Sequence, residues 1–182
     1  MRQEVPQSRT NVLIAAWGIL GFAALLVRAI WKLWPLAYTP IRDHMMSTGQ
    51  IALWVGWVGW MWYSEGYKTF QKIVSPRVVA RGMWLGRNPK PLLVALAPFF
   101  CMGLFHATRR RIITAWIVVL MIVGLIVSVH FLSQPWRGIV DGGVVVGLGW
   151  GLGTLLLYFG RALAGNEPGV DPELPASVAS AT

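Results

Sequence analysis

Few residues in this chain could do chemistry, and they are loosely spaced. Histidine occurs three times, at His44, His106 and His130. Imidazoles on two different helices could ligate haem, or a metal together with Asp43 or Asp141. Arg137 and Asp141 are four residues apart. On a helix that makes them neighbours, and the cation lowers the cost of holding a carboxylate near hydrocarbon. Asp43, His44, His130, Arg137 and Asp141 therefore form one candidate polar cluster, which could act on a lipid headgroup if it converged at one interface. The plainer reading is a structural ion pair with interfacial histidines. On that reading no cofactor is expected, and haem or metal through His44 and His130 is the alternative. Glu65 follows a tryptophan-rich stretch, where it reads as a helix-end charge pairing with Lys68 or an arginine. Cys101 is the lone cysteine, which excludes an internal disulfide and paired-thiolate metal sites. It reads as a small buried residue. No nucleophile elbow, HExxH or CxxC pattern is present, so nothing identifies an enzyme.

A second kind of spacing concerns packing. Gly143, Gly147 and Gly151 recur every four residues, and Gly149 and Gly153 make a second pair. Glycines four apart clear one helix stripe of side chains, so a neighbouring backbone can approach. The row is not a phosphate loop, since no Gly-Lys-Ser/Thr follows it.

The elements that must position these residues are membrane helices. Of the 182 residues, 55% are hydrophobic and only 13% charged, against roughly 25% charged in soluble domains. Four windows lack Asp, Glu, Lys and Arg: Val12–Val27, Met45–Ser64, Ile112–Gln134 and Gly142–Gly160. A crossing helix needs about 20 apolar residues, so these predict an all-α membrane protein with four transmembrane helices. The first span runs to about Leu33, where Arg28 and Lys32 can snorkel outward beside Trp31 and Trp34. Pro35 and Pro40 are expected to end it. The second runs from about Thr48 to Glu65 and carries Trp54, Trp57 and Trp60.

Between the second and third windows the character changes. Residues 66–90 alternate basic and apolar residues, and Ser75-Pro76 is a helix-start signal. This predicts amphipathic helix lying in the cytoplasmic interface, with Lys68, Lys72, Arg77 and Arg81 contacting anionic lipid. Pro91–Thr108 is a shorter apolar run with Pro98 at its middle, expected as a kinked re-entrant or interfacial segment. The alternative is a fifth transmembrane helix. The positive-inside rule favours four spans, because five would translocate Arg109-Arg110-Arg111. Both termini are then cytoplasmic, in a membrane of bacterial inner-membrane type. Residues 1–10 and 165–182 are polar and expected to be disordered, leaving 11–164 as one helical domain.

The net charge of +9 lies between apolar spans. Anionic lipid is therefore the expected partner, and nucleic acid is not. Three functional classes remain. The favoured one is a non-enzymatic membrane component: a subunit, assembly factor or lipid-interacting protein, for which a homo-oligomer or a larger complex is the setting considered. The second is a small transporter or channel, whose path would need Arg28, Gln50, Thr114, Ser128, Asp141 and Thr154. The third is a lipid-headgroup enzyme built on the polar cluster.

Overall fold

The computed structural model describes residues 9–175, which fold as helices joined by short connections, with no strand among them. Four rods run in alternating directions. The first is α1 (Arg9–Arg42). The second is a continuous helix made of α2 (Thr48–Met61), a π-helical stretch (Trp62–Val74) and α3 (Ser75–Arg87). Two short helices follow, α4 (Pro91–Ala95) and α5 (Ala97–Met102). The last rods are α6 (Arg109–His130) and α7 (Trp136–Leu163). Three helices, α1, α6 and α7, are each long and apolar enough to cross a membrane.

The helix α1 does not stop at its prolines; both Pro35 and Pro40 lie inside it. Pro40 has no N–H to give the carbonyl four residues back, so Leu36 loses its helical donor. Gln134 replaces it, donating its Nε2 to the Leu36 carbonyl at 3.2 Å. Pro40 itself is buried against Gly138 at the start of α7. This contact joins the two loops at one end of the molecule. The next helix opens with a capping box, in which Ser47 accepts from the Gln50 N–H and the Gln50 side chain accepts from the Ser47 N–H.

The second rod departs most from expectation. The basic segment does not turn to lie flat after Glu65. Through Trp62–Val74 the helix widens to π geometry, and Thr69 Oγ1 donates five residues back to the Ser64 carbonyl at 3.0 Å. The five-residue register sets Lys68 over the Tyr63 ring at 5.0 Å and Lys72 over Tyr67 at 4.5 Å. Ser75 is no cap. It is fully buried, with its hydroxyl 3.1 Å from that of Thr154 on α7. The helix therefore continues as one rod on the order of 55 Å long.

Glycines bring the rods together. Where the obstacle is backbone, the tightest approach is at Gly86, whose Cβ would collide with the Asn11 carbonyl, and a Cβ on Gly82 would stand 2.7 Å from Ile19 Cγ1. Gly82 and Gly86 are four apart, facing Asn11, Ala15 and Ile19 on α1, which are themselves four apart. This is a small-residue crossing of the kind that dispersion contacts stabilise in lipid. Gly18 of α1 is likewise filled by Cys101 and Ala97 of α5. The core lies here, around Ala15, Ile19, Val78, Val79, Leu85 and Phe100.

The run Pro91–Thr108 is broken twice. A break at Leu96 separates α4 from α5, and α5 ends at Gly103, whose φ of +81° caps it in the left-handed region. Neither piece approaches the length of a crossing helix. The helix α6 then runs back to the opposite end almost alone; only Ala115 and Val129 of it are buried.

Candidate functional site

The five polar candidates gather at the end formed by the α1–α2 and α6–α7 connections, but they do not form one constellation. Asp43 pairs with its neighbour Arg42 through two hydrogen bonds, at 2.7 and 3.2 Å. That guanidinium holds the Asp43 carboxyl below its ordinary range. His44 is exposed with a left-handed backbone, φ +50°. His130 is exposed at the last turn of α6. Asp141 points inward at 4% exposure, with Arg137 Nε 3.7 Å from its carboxylate. Among the described residues no three His, Cys, Asp or Glu side chains stand close enough to hold a metal ion. The i, i+4 pair thus exists as spacing implied, while no hydrogen bond or ion pair joins either histidine to it.

The glycine row of α7 faces the second rod. Gly147 lies against it most closely by backbone, with a Cβ there 3.7 Å from the Met61 carbonyl and 3.3 Å from Glu65 Cβ. Gly143 and Gly151 receive aromatic side chains instead, Trp57 and Phe70. Trp57 also donates to the Val140 carbonyl at 3.3 Å. Gly149 and Gly153 face open space. Glu65 is therefore packed beside the middle of α7, and no ion pair to it forms among the described residues.

The four residues assigned to anionic lipid separate. Lys68 and Lys72 are exposed on the π-helical stretch, over their tyrosines. They sit level with Gly147–Gly151, well before the end of the rod. Arg81 is corrected outright. It is 1% exposed and its guanidinium is consumed by carbonyls: Phe100 and Pro172 accept at 2.7 Å, His106 at 3.1 Å and Phe105 at 3.3 Å. Arg81 also lies over the Phe100 ring at 4.2 Å. Burial pulls its pKa down to about 10, still charged at neutral pH. It serves as the post around which the α5–α6 loop and the C-terminal segment are wound.

That segment corrects a second expectation, of disorder beyond Gly165. Residues 166–175 cross the basic end, and the Thr108 N–H donates to the Glu173 carbonyl at 2.9 Å. Leu174 is buried in the core. Glu173 lies between Arg77 and Arg111, with N–O distances of 3.4 and 3.6 Å. Glu167 pairs with Arg87. The expected disorder of residues 1–8 and 176–182 lies outside the described residues.

Sequence reasoning passed over Gly82 and Gly86, although Gly82-Met83-Trp84-Leu85-Gly86 carries the same four-residue spacing as the α7 row. The charge of the tail was the other available signal. Glu167, Asp171 and Glu173 are three of the chain's seven acidic residues, and they follow a segment of concentrated arginine. No protein-family model matches the chain, and no characterised protein or solved structure shows significant similarity to it.

Proposed function

We propose that this chain is a non-enzymatic component of a membrane assembly, working by association within the bilayer through α6. The observation that carries the reading is the isolation of that helix. It is the most apolar of the three candidate spans, with a mean hydropathy of 2.9, yet only 11% of it is buried. Its two hydroxyls satisfy themselves on their own helix: Thr114 donates to Arg110 and Ser128 to Gly124. Between Ala115 and Val127 the surface it offers is thus apolar. The other three rods pack on one another and leave α6 tied mainly at its ends. Its occupant in this reading is a transmembrane helix of another subunit, held by close packing rather than by water exclusion.

The topology that goes with this function has four crossings, the continuous second rod being the fourth. The end carrying Arg77, Arg87, Lys90 and the Arg109–Arg111 triplet faces the cytoplasm, following the positive-inside bias of a bacterial inner membrane. Both termini then share that side, and Pro91–Thr108 enters without crossing. Apart from Arg28, which is exposed, the polar residues a transport path would need are each engaged locally. Gln50 caps α2, Thr154 meets Ser75, Asp141 meets Arg137, and Thr114 and Ser128 bond their own helix.

The test is site-directed crosslinking from α6 in a Cys101→Ala background, with single cysteines at successive positions from Ile117 to Leu125. Association predicts adducts with one defined subunit along one stripe, recurring every three or four residues. A second copy of this chain as that subunit would make the assembly a homo-oligomer. Equal reactivity of every position with a lipid-phase reagent, in a chain that remains monomeric, would refute the reading.

A further inference from the structure

The basic end holds more positive charge than its own carboxylates neutralise. Arg77, Arg81 and Arg111 stand within electrostatic reach of one another, and the carboxylate they share is that of Glu173. Arg81 receives only carbonyl oxygens, which solvate its charge without cancelling it. Three guanidinium groups therefore face one carboxylate. The fit of that carboxylate is loose: 3.4 Å to Arg77 Nε and 3.6 Å to Arg111 Nε, where charge-assisted bonds run at about 2.7–2.9 Å. Arg111 Nε is buried and has no hydrogen-bond acceptor. A carboxylate with two oxygens is stretched across a gap that a larger, more highly charged anion would span.

Glu173 also holds its position at a cost. Its φ is +52°, in the left-handed region that a residue with a Cβ rarely occupies. The backbone around it is anchored independently of its side chain, by Arg81 on the Pro172 carbonyl, by Thr108 on the Glu173 carbonyl and by buried Leu174. The side chain can leave without the segment leaving.

We propose that Arg77 and Arg111 form a binding site for a phosphate group, and that Glu173 is a built-in stand-in that such a group displaces. Guanidinium forks match phosphate oxygens in pairs, and a phosphate monoester carries up to two negative charges against the single charge of Glu173. Exchange would neutralise the excess charge and supply Arg111 Nε with an acceptor. At a membrane surface the nearest source is an anionic lipid headgroup; free phosphate has the same chemistry. The site replaces the four-residue lipid belt expected from sequence with one pair of arginines and a competitor.

The experiment measures binding to full-length protein in nanodiscs of phosphatidylcholine with and without phosphatidic acid, and in detergent with inorganic phosphate. Wild type, Glu173→Gln, and Glu173→Gln combined with Arg77→Gln are compared by native mass spectrometry. Tryptophan fluorescence confirms that each variant is folded. Removing the competitor should raise phosphatidic acid retention about three- to tenfold, and Arg77→Gln should return it to the wild-type level or below. The same gain with inorganic phosphate would identify the phosphate group itself as what is recognised. A gain with the lipid alone would show that the acyl anchor is needed as well. Equal retention by wild type and Glu173→Gln for both ligands, or a gain that survives Arg77→Gln, would overturn the proposal. Should Arg77→Gln prove unfolded, Arg77→Lys, which keeps the charge but loses the paired fork, should give an intermediate value; full retention there overturns it equally.

Discussion

Gly86→Ala should loosen the α1/α3 crossing, whereas a methyl added to a glycine that faces open space should not. The added Cβ falls on the carbonyl of Asn11, which belongs to the α1 backbone. No side-chain rotation can relieve that contact, so the helices must part. A gap on the order of 0.5–1 Å forfeits a quarter to a half of the dispersion well at each atom pair across it. Overpacking in a close-packed interior costs about 1–3 kcal/mol, and a backbone obstacle places this case at about 2–3 kcal/mol. Against this stands the higher helix propensity of alanine, about 1 kcal/mol. Gly149→Ala shares that gain without the clash, since nothing lies within 4 Å of a Cβ there. The difference between the two variants therefore isolates the steric cost. Gly82→Ala should fall between them, because its nearest obstacle is the Ile19 side chain, 2.7 Å away, with the Ala15 backbone carbonyl farther off at 3.4 Å. The assay is unfolding in mixed micelles of increasing SDS content, followed by the fluorescence of the eleven tryptophans. The expected order of stability is Gly149→Ala above Gly82→Ala above Gly86→Ala. Equal midpoints for Gly86→Ala and Gly149→Ala would refute the claim that the backbones touch.

Two further outcomes are expected from the same geometry. Arg81→Lys keeps the charge but replaces a planar fork reaching four carbonyls with one nitrogen. It should cost about 2–4 kcal/mol and accelerate limited proteolysis between Gly103 and Arg111, and an unchanged cleavage rate would contradict the post-like role of Arg81. In a Cys101→Ala background, cysteines at Arg110 and at His44 should label from opposite faces of the membrane, with Arg110 on the side of the N-terminus. Labelling of both from one face would discard the four-crossing topology.

Much about this protein is legible along its sequence, because the bilayer imposes a one-dimensional constraint. A charge inside hydrocarbon is expensive, so uncharged windows alone mark Ile112–Gln134 and Gly142–Gly160, and the structure builds α6 and α7 there. Pro98 marked an interruption of Pro91–Thr108, and the helix breaks at Leu96, two residues before it. The i, i+4 pairing of Arg137 with Asp141 also follows from local geometry alone. Tertiary structure decided what depends on residues distant in the chain. Pro40 ends a helix in isolation, yet α1 passes through it because Gln134, nearly a hundred residues later, supplies the missing donor. Arg81 reads as a surface cation until Phe100, Phe105, His106 and Pro172 turn their carbonyls toward it. Composition leaves the acidic tail unstructured, since a short segment with few large apolar side chains cannot bury enough surface to order itself. Its order comes from arginines on other elements. Hydrophobic spans are a property of the chain and can be counted in it; the partners of a buried charge are a property of the fold.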